Sequence, residues 1–203
     1  MNAQRKDQRL AAIVVAAGYS SRMKKFKPLL PLKDSTVIEC TVDSFFRAGI
    51  RDVVVVIGHN AELIKPILDR RNIKWVYNSA YDEGMYTSIK RGVEALDDDF
   101  TGFYMMPADI PFVKPETIRQ LGEVFQKSDY TIVYPVYGER RGHPPVISLE
   151  IRNDILSYDG SGGLKTLLGK YIESAYHLEV EDEYVLVDLD TPSTYDALKI
   201  KTD

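Results

Sequence analysis

A glycine-led loop follows the first apolar stretch of the sequence and has the composition of a phosphate-binding loop. Residues 16–23 read AAGYSSRM, and a lysine follows shortly afterwards. Because Gly18 lacks a Cβ, the backbone there can turn sharply and lie close to a ligand. Exposed backbone N–H groups, together with hydroxyl, guanidinium and ammonium groups, can hold a polyphosphate. The side chains that could do so here are Ser20, Ser21, Arg22 and Lys27.

The charge of this loop contrasts with the charge of the whole chain. The formal net charge is −4, whereas the stretch from Gly18 to Lys27 contains four basic residues and no acidic one. Such a local excess favours binding of a small anion, although a solvated basic loop would have the same composition. The loop has neither the G-x-G-x-x-G of dinucleotide-binding domains nor the G-K-[ST] of Walker A loops.

An aspartate held between two prolines follows the apolar run GFYMM at residues 102–106. The segment is PADIP, and its acid is Asp109. Mg²⁺ typically takes one or two carboxylates and fills its other positions with phosphate oxygens and water. An acid at the carboxyl end of a strand is well placed for such a site. A turn aspartate that bonds only to its local backbone is the alternative.

Two further acids lie near the carboxyl terminus, in the segment VDLDTP at residues 187–192. We expect a strand at residues 184–189, which would point Asp188 and Asp190 to the same face. One or both could then complete a metal site with Asp109. Alternatively, Asp190 or Thr191 simply caps the helix that starts at Pro192.

The elements that must position these residues alternate along the chain as apolar runs and helical stretches. Unbroken β-branched runs, each followed by a helix, imply a parallel sheet that is covered on both faces. We therefore predict a three-layer α/β/α fold with an open, mostly parallel sheet, in which ligands bind beyond the carboxyl ends of the strands. The predicted strands are 11–16, 52–57, 73–77, 102–106, 131–136, 145–149 and 184–189. The predicted helices are 36–48, 61–71 (with Asn60 as N-cap), 87–96, 115–127, 162–168 and 192–200.

Composition narrows the class of protein further. A chain of 203 residues fits one domain over 1–203, with residues 1–9 as a loose extension. The negative charge argues against a nucleic-acid partner, and no apolar stretch approaches the ~20 residues of a membrane span. The amino-terminal residues lack the apolar core of a secretory signal, and Cys40 is the only cysteine, so we expect a cytoplasmic protein.

Taken together and in this order, three segments resemble the MobA-like NTP transferase family. They are AAG-x-x-x-RM-x-x-x-K-x-LL-x-L, P-A-D-I-P and D-L-D-T-P, and the similarity runs from about residue 10 to residue 198. Within the family the chain is most similar to the molybdenum cofactor cytidylyltransferases. It departs from the family's first motif at Lys24, where a glycine is usual.

The resemblance implies a Rossmann-like fold of the nucleotide-diphospho-sugar transferase type and transfer of CMP from CTP to the phosphate of molybdopterin, with release of pyrophosphate. It implies Mg²⁺ or Mn²⁺ as cofactor and a molybdoenzyme as recipient of the product. The implied catalytic residues are Arg22, Lys27 and Asp109, and the implied metal ligands are Asp109, Asp188 and Asp190. The implied nucleotide-binding residues are Ala16, Ala17, Gly18, Ser20, Ser21, Arg22, Lys27, Asn78, Gly84, Ser88 and Asp109.

Two later segments resemble parts of the family that face the acceptor. Arg141-Gly142-His143-Pro144-Pro145 is similar to a segment on the acceptor side of the cleft, which implies that His143 binds the acceptor. Residues 159–165 fall where relatives usually carry Gly-Asp-x-Gly-Ala-Arg, and Lys165 stands in the place of the arginine. Lysine lacks the bidentate fork of arginine, so the acceptor is less securely implied than the reaction.

Three other functions remain open at this point. One is transfer of a guanylyl or other nucleotidyl group to a different phosphorylated small molecule. A second is a non-catalytic chaperone that binds a nucleotide or the pterin cofactor, against which the three acids argue. A third, a nicotinamide-binding domain, is disfavoured by the missing glycine fingerprint.

Overall fold

The computed structural model describes residues 9–20, 23 and 25–202. Its core is one sheet with strands in the order β10-β7-β9-β6-β1-β4-β5, and β8 pairs with β7 off this path. The strands are β1 (Arg9–Ala16), β2 (Pro31–Leu32), β3 (Ser35–Thr36), β4 (Val53–Ile57), β5 (Lys74–Tyr77), β6 (Phe100–Pro107), β7 (Ile132–Tyr137), β8 (Arg140–Arg141), β9 (Val146–Ser148) and β10 (Ala175–Glu179). The α-helices are α1 (Val37–Ala48), α2 (Ala61–Arg70), α3 (Met85–Glu94), α4 (Pro115–Gln126), α5 (Arg152–Ser157), α6 (Gly163–Leu168) and α7 (Pro192–Thr202).

The prediction of a mostly parallel sheet is confirmed. Strand β1 pairs in parallel with β4 and β6, and β5 and β10 pair in parallel with β4 and β7. The short strand β9 runs antiparallel between β6 and β7, and a small separate ribbon joins β2 to β3. All six predicted helices and six of the seven predicted strands are present, with ends within two residues of those expected.

Both faces of the sheet are buried, because its central strands consist almost entirely of apolar residues. Along β1, Ala12 and Val14 belong to one core cluster, whereas Ala11 and Ile13 belong to another on the opposite face. All five residues of β4 are buried. A third, smaller cluster, which includes Met23 and Leu189, lies under the segments that surround the cleft described below. The fold is therefore a three-layer α/β/α sandwich.

The predicted strand at residues 184–189 is wrong. The chain forms a 3₁₀ helix at Glu183–Leu186 and continues without regular structure to Asp190. The late strand is instead β10, which pairs with β7 at the end of the sheet. The premise that alternation in a strand would point Asp188 and Asp190 to one face is lost with the strand.

The structure also bears on the expected cap of α2, the amino-terminal extension and membrane-spanning helices. Asn60 does occupy the N-cap position of α2, but its backbone is left-handed and its side chain makes no capping hydrogen bond. Of the predicted loose extension, residues 1–8 lie outside the described part of the chain, and Arg9 is already the first residue of β1. No helix in the described part has the length and apolar character that crossing a membrane requires.

The carboxyl ends of the central strands are linked to one another by backbone hydrogen bonds. The N–H of His59 donates to the carbonyl of Ala17, at 3.2 Å between nitrogen and oxygen. The N–H of Ala108 donates to the carbonyl of Val15 at 3.0 Å, and that of Asn78 to Ile57 at 2.9 Å. The loops that follow β1, β4, β5 and β6 therefore share one edge of the sheet, where ligands bind in folds of this kind.

Candidate active site

A cleft of about 390 Å³ opens at this edge, beyond the carboxyl ends of β1 and β6. Three of the loops that were predicted to meet here contribute to its wall, and the carboxyl-terminal segment adds an acid. The residues that line it are Val15, Ala16, Ala17, Gly18, Tyr19, Ser20, Lys27, Pro28, Tyr81, Asp82, Gly84, Met85, Ser88, Pro107, Ala108, Asp109 and Asp190. Segments far apart in the sequence thus meet at one site, as the prediction required.

The side chain of Lys27 lies between two of the predicted metal-binding acids. Its Nζ donates to Oδ2 of Asp109 at 2.7 Å and to Oδ1 of Asp190 at 2.6 Å. The side chain is 11% exposed, and those of the two acids are 24% and 31% exposed. Burial alone would lower the pKa of Lys27, but the hydrogen bonds and charges of the two carboxylates outweigh it and raise that pKa. Lys27 is therefore a protonated, partly desolvated cation at the wall of the cleft.

The backbone of Lys27 is fixed by a local turn. A 3₁₀ helix at Lys27–Leu29 begins here, with Pro28 in its first turn, where the missing N–H of proline costs nothing. The N–H of Lys27 donates to Oγ of Ser20 at 3.1 Å, which ties the turn to the glycine-led loop. This hydrogen bond therefore joins the loop to the turn that carries Lys27.

Asp109 is positioned by contacts to its backbone neighbours. The N–H of Ala108 is bonded to β1, and the carbonyl of Ala108 accepts from the buried hydroxyl of Thr41 in α1 at 2.8 Å. The carbonyl of Asp109 accepts from the N–H of Leu189 at 2.9 Å. This last bond carries the carboxyl-terminal segment to the end of β6 and explains how Asp190 reaches Lys27 without a strand.

Asp188 lies in the electrostatic field of the same group. Burial, followed by the charges of Asp190 and Asp109, raises the pKa of Asp188 above its usual value. Within the described part of the chain, however, no three acidic, histidine or cysteine side chains converge into a group that could hold a metal ion. In this arrangement Asp109 and Asp190 share one partner, Lys27, and the three acids do not form a ready-made coordination shell.

The hydroxyl of Thr191 accepts from the N–H of Thr194, so Thr191 caps α7 as the alternative interpretation expected.

A buried carboxylate that the sequence analysis missed anchors the same segment. Asp182 is 1% exposed. Its Oδ2 accepts from the N–H of Lys114 at 2.9 Å and from the hydroxyl of Thr117 at 2.8 Å, at the start of α4. Its Oδ1 accepts from the N–H of Tyr184 at 3.2 Å. No local motif marks Asp182, because its partners lie far away in the sequence.

Asn78 and Ser88 hold the loop between β5 and α3 in shape. Asn78 is 5% exposed, and its amide donates to the hydroxyls of Thr87 and Ser88, each at 2.9 Å. Its side-chain oxygen accepts from the N–H of Ala80 at 3.1 Å. Asn78 therefore positions this side of the cleft with its polar groups, whereas Ser88 and Gly84 line the cleft itself.

The predicted acceptor residues are placed differently from each other. His143 lies close enough to Asp109 to feel its charge, but burial lowers the pKa of His143, and its Nδ1 is buried without a hydrogen-bond partner. The N–H of His143 donates to Val185 of the carboxyl-terminal segment at 2.8 Å. Lys165 is exposed on α6 and does not line the cleft. His143 thus lies within reach of the charge of Asp109, but neither His143 nor Lys165 lines the cleft.

The glycine-led loop lines the cleft as expected, but one reason given for its glycine is wrong. Gly18 does not have a positive φ, and a Cβ built on it meets nothing within 4 Å, so the turn itself does not require glycine. The left-handed residue of the loop is Ser20, with φ of 55°. Close approach of a ligand remains as the physical reason for Gly18. Ser21 and Arg22 lie outside the described residues.

An aromatic group borders the cleft on the side of the glycine-led loop. The ring of Tyr19 lies 4.6 Å from that of His59 and 5.6 Å from that of Tyr81, between centroids. Tyr19 is 52% exposed and Met85 is 56% exposed, and both line the cleft. The cleft therefore has a partly apolar rim in addition to its charged group. No motif in the sequence had marked Tyr19 as a residue of this rim.

Comparison with known proteins shows the family of the chain. The profile of the MobA-like NTP transferase domain matches residues 12–175. The chain is 24% identical over 183 residues to the molybdenum cofactor cytidylyltransferase of Escherichia coli K12, covering 90% of this chain and 92% of that protein.

Solved structures of similar proteins share the fold over nearly the whole chain. The Rv0371c protein of Mycobacterium tuberculosis H37Rv superposes with a TM-score of 0.85 at 26% identity, over 97% of this chain and 100% of that one. The same protein in a complex with manganese gives a TM-score of 0.80 at 25% identity, covering 95% and 99%. A nucleotidyl transferase from Methanothermobacter thermautotroptrophicus gives 0.83 at 28% identity, covering 96% and 97%. The chain is thus a nucleotidyltransferase and belongs to the family of MobA-like NTP transferase domains.

Proposed function

We propose that this nucleotidyltransferase transfers CMP from CTP to the terminal phosphate of the molybdenum cofactor and releases pyrophosphate, with Mg²⁺ or Mn²⁺ as cofactor. The observation that carries the proposal is the group formed by Lys27, Asp109 and Asp190 at the wall of a cleft that the glycine-led loop also lines. The choice of CTP and of the pterin acceptor rests on the similarity to the Escherichia coli cytidylyltransferase.

The residues present fit a divalent cation that arrives with phosphate ligands. Asp109 and Asp190 offer carboxylate oxygens that converge on a single point, where Lys27 Nζ now lies. Two carboxylates suffice for Mg²⁺ when phosphate oxygens and water complete its shell. The manganese complex of the Rv0371c protein supports the assignment. When bound, the cation would supply charge neutralisation to the nucleotide and acceptor phosphates. Asp188, whose pKa is raised by burial and then by the charges of Asp190 and Asp109, is a less direct candidate ligand.

The reaction needs positioning and charge neutralisation rather than a strong base. An oxygen of the acceptor phosphate attacks the α-phosphorus of the nucleotide, the bond from that phosphorus to the bridging oxygen breaks, and pyrophosphate leaves with the electron pair. A phosphate monoester has a second pKa of about 6, so its attacking oxygen is already largely ionised at neutral pH. Lys27 would neutralise charge on the triphosphate and on the departing pyrophosphate, and Arg22 would assist from the same loop.

The remaining predicted residues have roles that follow from their positions. The backbone of Ala16, Ala17 and Gly18 would approach the nucleotide closely, with Ser20 and Ser21 beside its phosphates. On the opposite side, Gly84 and Ser88 would contact the nucleotide, and Asn78 would hold their loop in place. His143 would face the acceptor from the acid group. Lys165 could reach an acceptor only from outside the cleft.

The test is mass analysis of the product formed by the purified protein from molybdopterin, Mg²⁺ and each of the four NTPs in turn. We expect the cytidine dinucleotide form and pyrophosphate with CTP. Formation of a guanine dinucleotide instead would show that GTP, and not CTP, is the nucleotide substrate. Turnover only with another phosphorylated acceptor would show that the molybdenum cofactor is not the acceptor.

An Asp109→Ala variant tests the role of the site itself. We expect loss of turnover with the fold retained, because Asp109 contributes a partly exposed ion pair and no core packing. A Lys127→Ala variant, which removes an exposed ion pair with Glu123 on α4, is a suitable control. Near-normal turnover of Asp109→Ala at saturating Mg²⁺ would refute the assignment.

A further inference from the structure

Lys27 occupies the point between the two carboxylates to which the proposed function assigns the divalent cation. Its ammonium lies within hydrogen-bond distance of Asp109 and Asp190 at the same time, at 2.7 and 2.6 Å. The lysine side chain is only 11% exposed, so water does not separate it from these acids to any large extent. The ammonium therefore offsets one of the two negative charges of this pair of acids.

A divalent cation bound to the same two oxygens cannot share them with the lysine in this position. Mg²⁺ binds its oxygen ligands at about 2.0–2.1 Å, which would place it almost in contact with Nζ. The two like charges would then repel each other in a partly buried site, where screening is weak. Either the ammonium moves or the cation does not bind.

The structure also shows why Lys27 can move without unfolding its surroundings. Its backbone is held by the 3₁₀ turn and by the bond to Ser20, whereas the lysine stem is a flexible four-carbon chain. Lys27 lines the same cleft as Gly18 and Ser20, so the loop expected to hold the phosphates faces the same space as the lysine.

We propose that Lys27 and the divalent cation compete for Asp109 and Asp190, so that the cation binds only when the lysine leaves the two acids, a displacement that nucleotide phosphates favour. This inference rests on the proposed function for its cation and its nucleotide. It gives Lys27 a second role, as a positioning residue that keeps the two acids together until the nucleotide arrives. It also makes free cation a poor ligand of the empty cleft and couples cation binding to nucleotide binding.

Displacement of the lysine can be measured directly, without turnover. The intact protein is treated briefly with an amine-acylating reagent at several Mg²⁺ concentrations, and mass spectrometry gives the rate of modification of Lys27 and of Lys25. Lys25, which is exposed in the same loop, serves as internal control. We expect slow modification of Lys27 without Mg²⁺, faster modification as Mg²⁺ is added, and no change at Lys25. A Lys27 rate that stays constant up to saturating Mg²⁺ would overturn the competition.

A second measurement follows the affinity for the cation alone. Mn²⁺ binding to the nucleotide-free protein is measured by the loss of the free-ion electron paramagnetic resonance signal, for the parent protein, Lys27→Met and the control Lys25→Met. Two charge-assisted hydrogen bonds no longer have to be broken in Lys27→Met, so Mn²⁺ should bind about 10–100-fold more tightly. Lys25→Met should bind as the parent does.

The results of these measurements distinguish failure of the proposed competition from failure of the proposed function. Equal Mn²⁺ affinity of Lys27→Met and the parent would refute the competition and leave the nucleotidyl transfer untouched. Absence of Mn²⁺ binding in every variant would refute the cation site, and with it both the inference and the metal dependence of the proposed reaction. Binding that is lost in Asp109→Asn, while Lys27→Met gains affinity, supports the inference.

Discussion

Replacing Asp182 with alanine should destabilise the protein far more than an average surface substitution would. The carboxylate is 1% exposed and accepts three hydrogen bonds, from the N–H groups of Lys114 and Tyr184 and from the hydroxyl of Thr117. Each hydrogen bond to a charged group contributes about 1.5–3 kcal/mol, and the two backbone donors would be left without a partner. After allowance for relaxation, we expect the free energy of unfolding to fall by about 3–5 kcal/mol.

Urea unfolding followed by circular dichroism measures this loss, provided that the slope with denaturant is unchanged. Asp182→Asn keeps the volume and one acceptor oxygen but loses the charge, so its loss should be smaller than that of the alanine variant. Thr117→Val removes a single hydroxyl and keeps the shape, so it should lose about 1.5 kcal/mol. The double variant should lose less than the sum of the two single losses, because both residues share one bond.

A free energy of unfolding of Asp182→Ala within about 1 kcal/mol of the parent value would refute this expectation, since three hydrogen bonds to a buried charge cannot be that weak. It also fails if the losses of Asp182→Ala and Thr117→Val are additive, because their side chains are in direct contact. A selective loss of activity without a loss of stability would mean that Asp182 acts on the site and not on the fold.

Three further changes test other parts of the structure. Glu39→Gln weakens the capping box of α1 and should cost about 1 kcal/mol at pH 7. Burial alone would raise the pKa of Glu39, but hydrogen bonds from Thr36 lower it below its ordinary value. The stabilisation by ionised Glu39 is therefore complete above the ordinary pKa and is lost as the pH falls through the lowered one. In unfolding measured over an acid pH series, the difference in free energy of unfolding between the parent and Glu39→Gln should narrow. Gly92→Ala places a Cβ 2.5 Å from Cγ2 of Ile13 and should lower the free energy of unfolding by about 1–3 kcal/mol, and an unchanged urea midpoint would contradict this. A Cβ added in Gly18→Ala meets no atom within 4 Å, so this variant should have the stability of the parent. Its kcat/KM for the nucleotide should be lower, and an unchanged kcat/KM would show that the nucleotide does not lie close to the backbone of Gly18.

The fold could be predicted where local and global signals agree. The runs at β1 and β4 are long, apolar and rich in β-branched residues, and both are buried on two faces as the pattern requires. The run YVLVDL at residues 184–189 has the same local composition, yet it forms a 3₁₀ turn and an irregular segment. There, Val185 and Leu189 are fully buried by packing against loops, so their apolar character reflects the core clusters and not a place in the sheet. Strand β10 was missed for the opposite reason, because most of its residues are exposed or half-buried and carry no strong pattern.

The site could be predicted in outline because the topology of a parallel sheet brings distant loops to one edge. That rule placed Lys27 and Asp109 together across 82 positions of the chain, whereas Asp190, 163 positions from Lys27, was expected there from a strand that does not form. The sequence could not show that Lys27 would bond to the acids, since a basic loop and an acidic turn indicate a phosphate and a metal equally well. Nor could it show Asp182, whose role depends on the start of a helix that is 65 to 68 positions away.

The arrangement has a consequence for how the active site forms. The segment that carries Asp190 is held by the bond of Leu189 to the end of β6 and by Asp182, which fixes the preceding turn to α4. These contacts join the last part of the chain to its middle, and Lys27 comes from its beginning. A segment that assembles the charged group must therefore contain residues 27–190. Burial raises the pKa of Asp188, and the like charges of Asp190 and Asp109 raise it further, because the three carboxylates repel one another. Lys27, held between Asp109 and Asp190, supplies from within the chain a positive charge that offsets part of this repulsion.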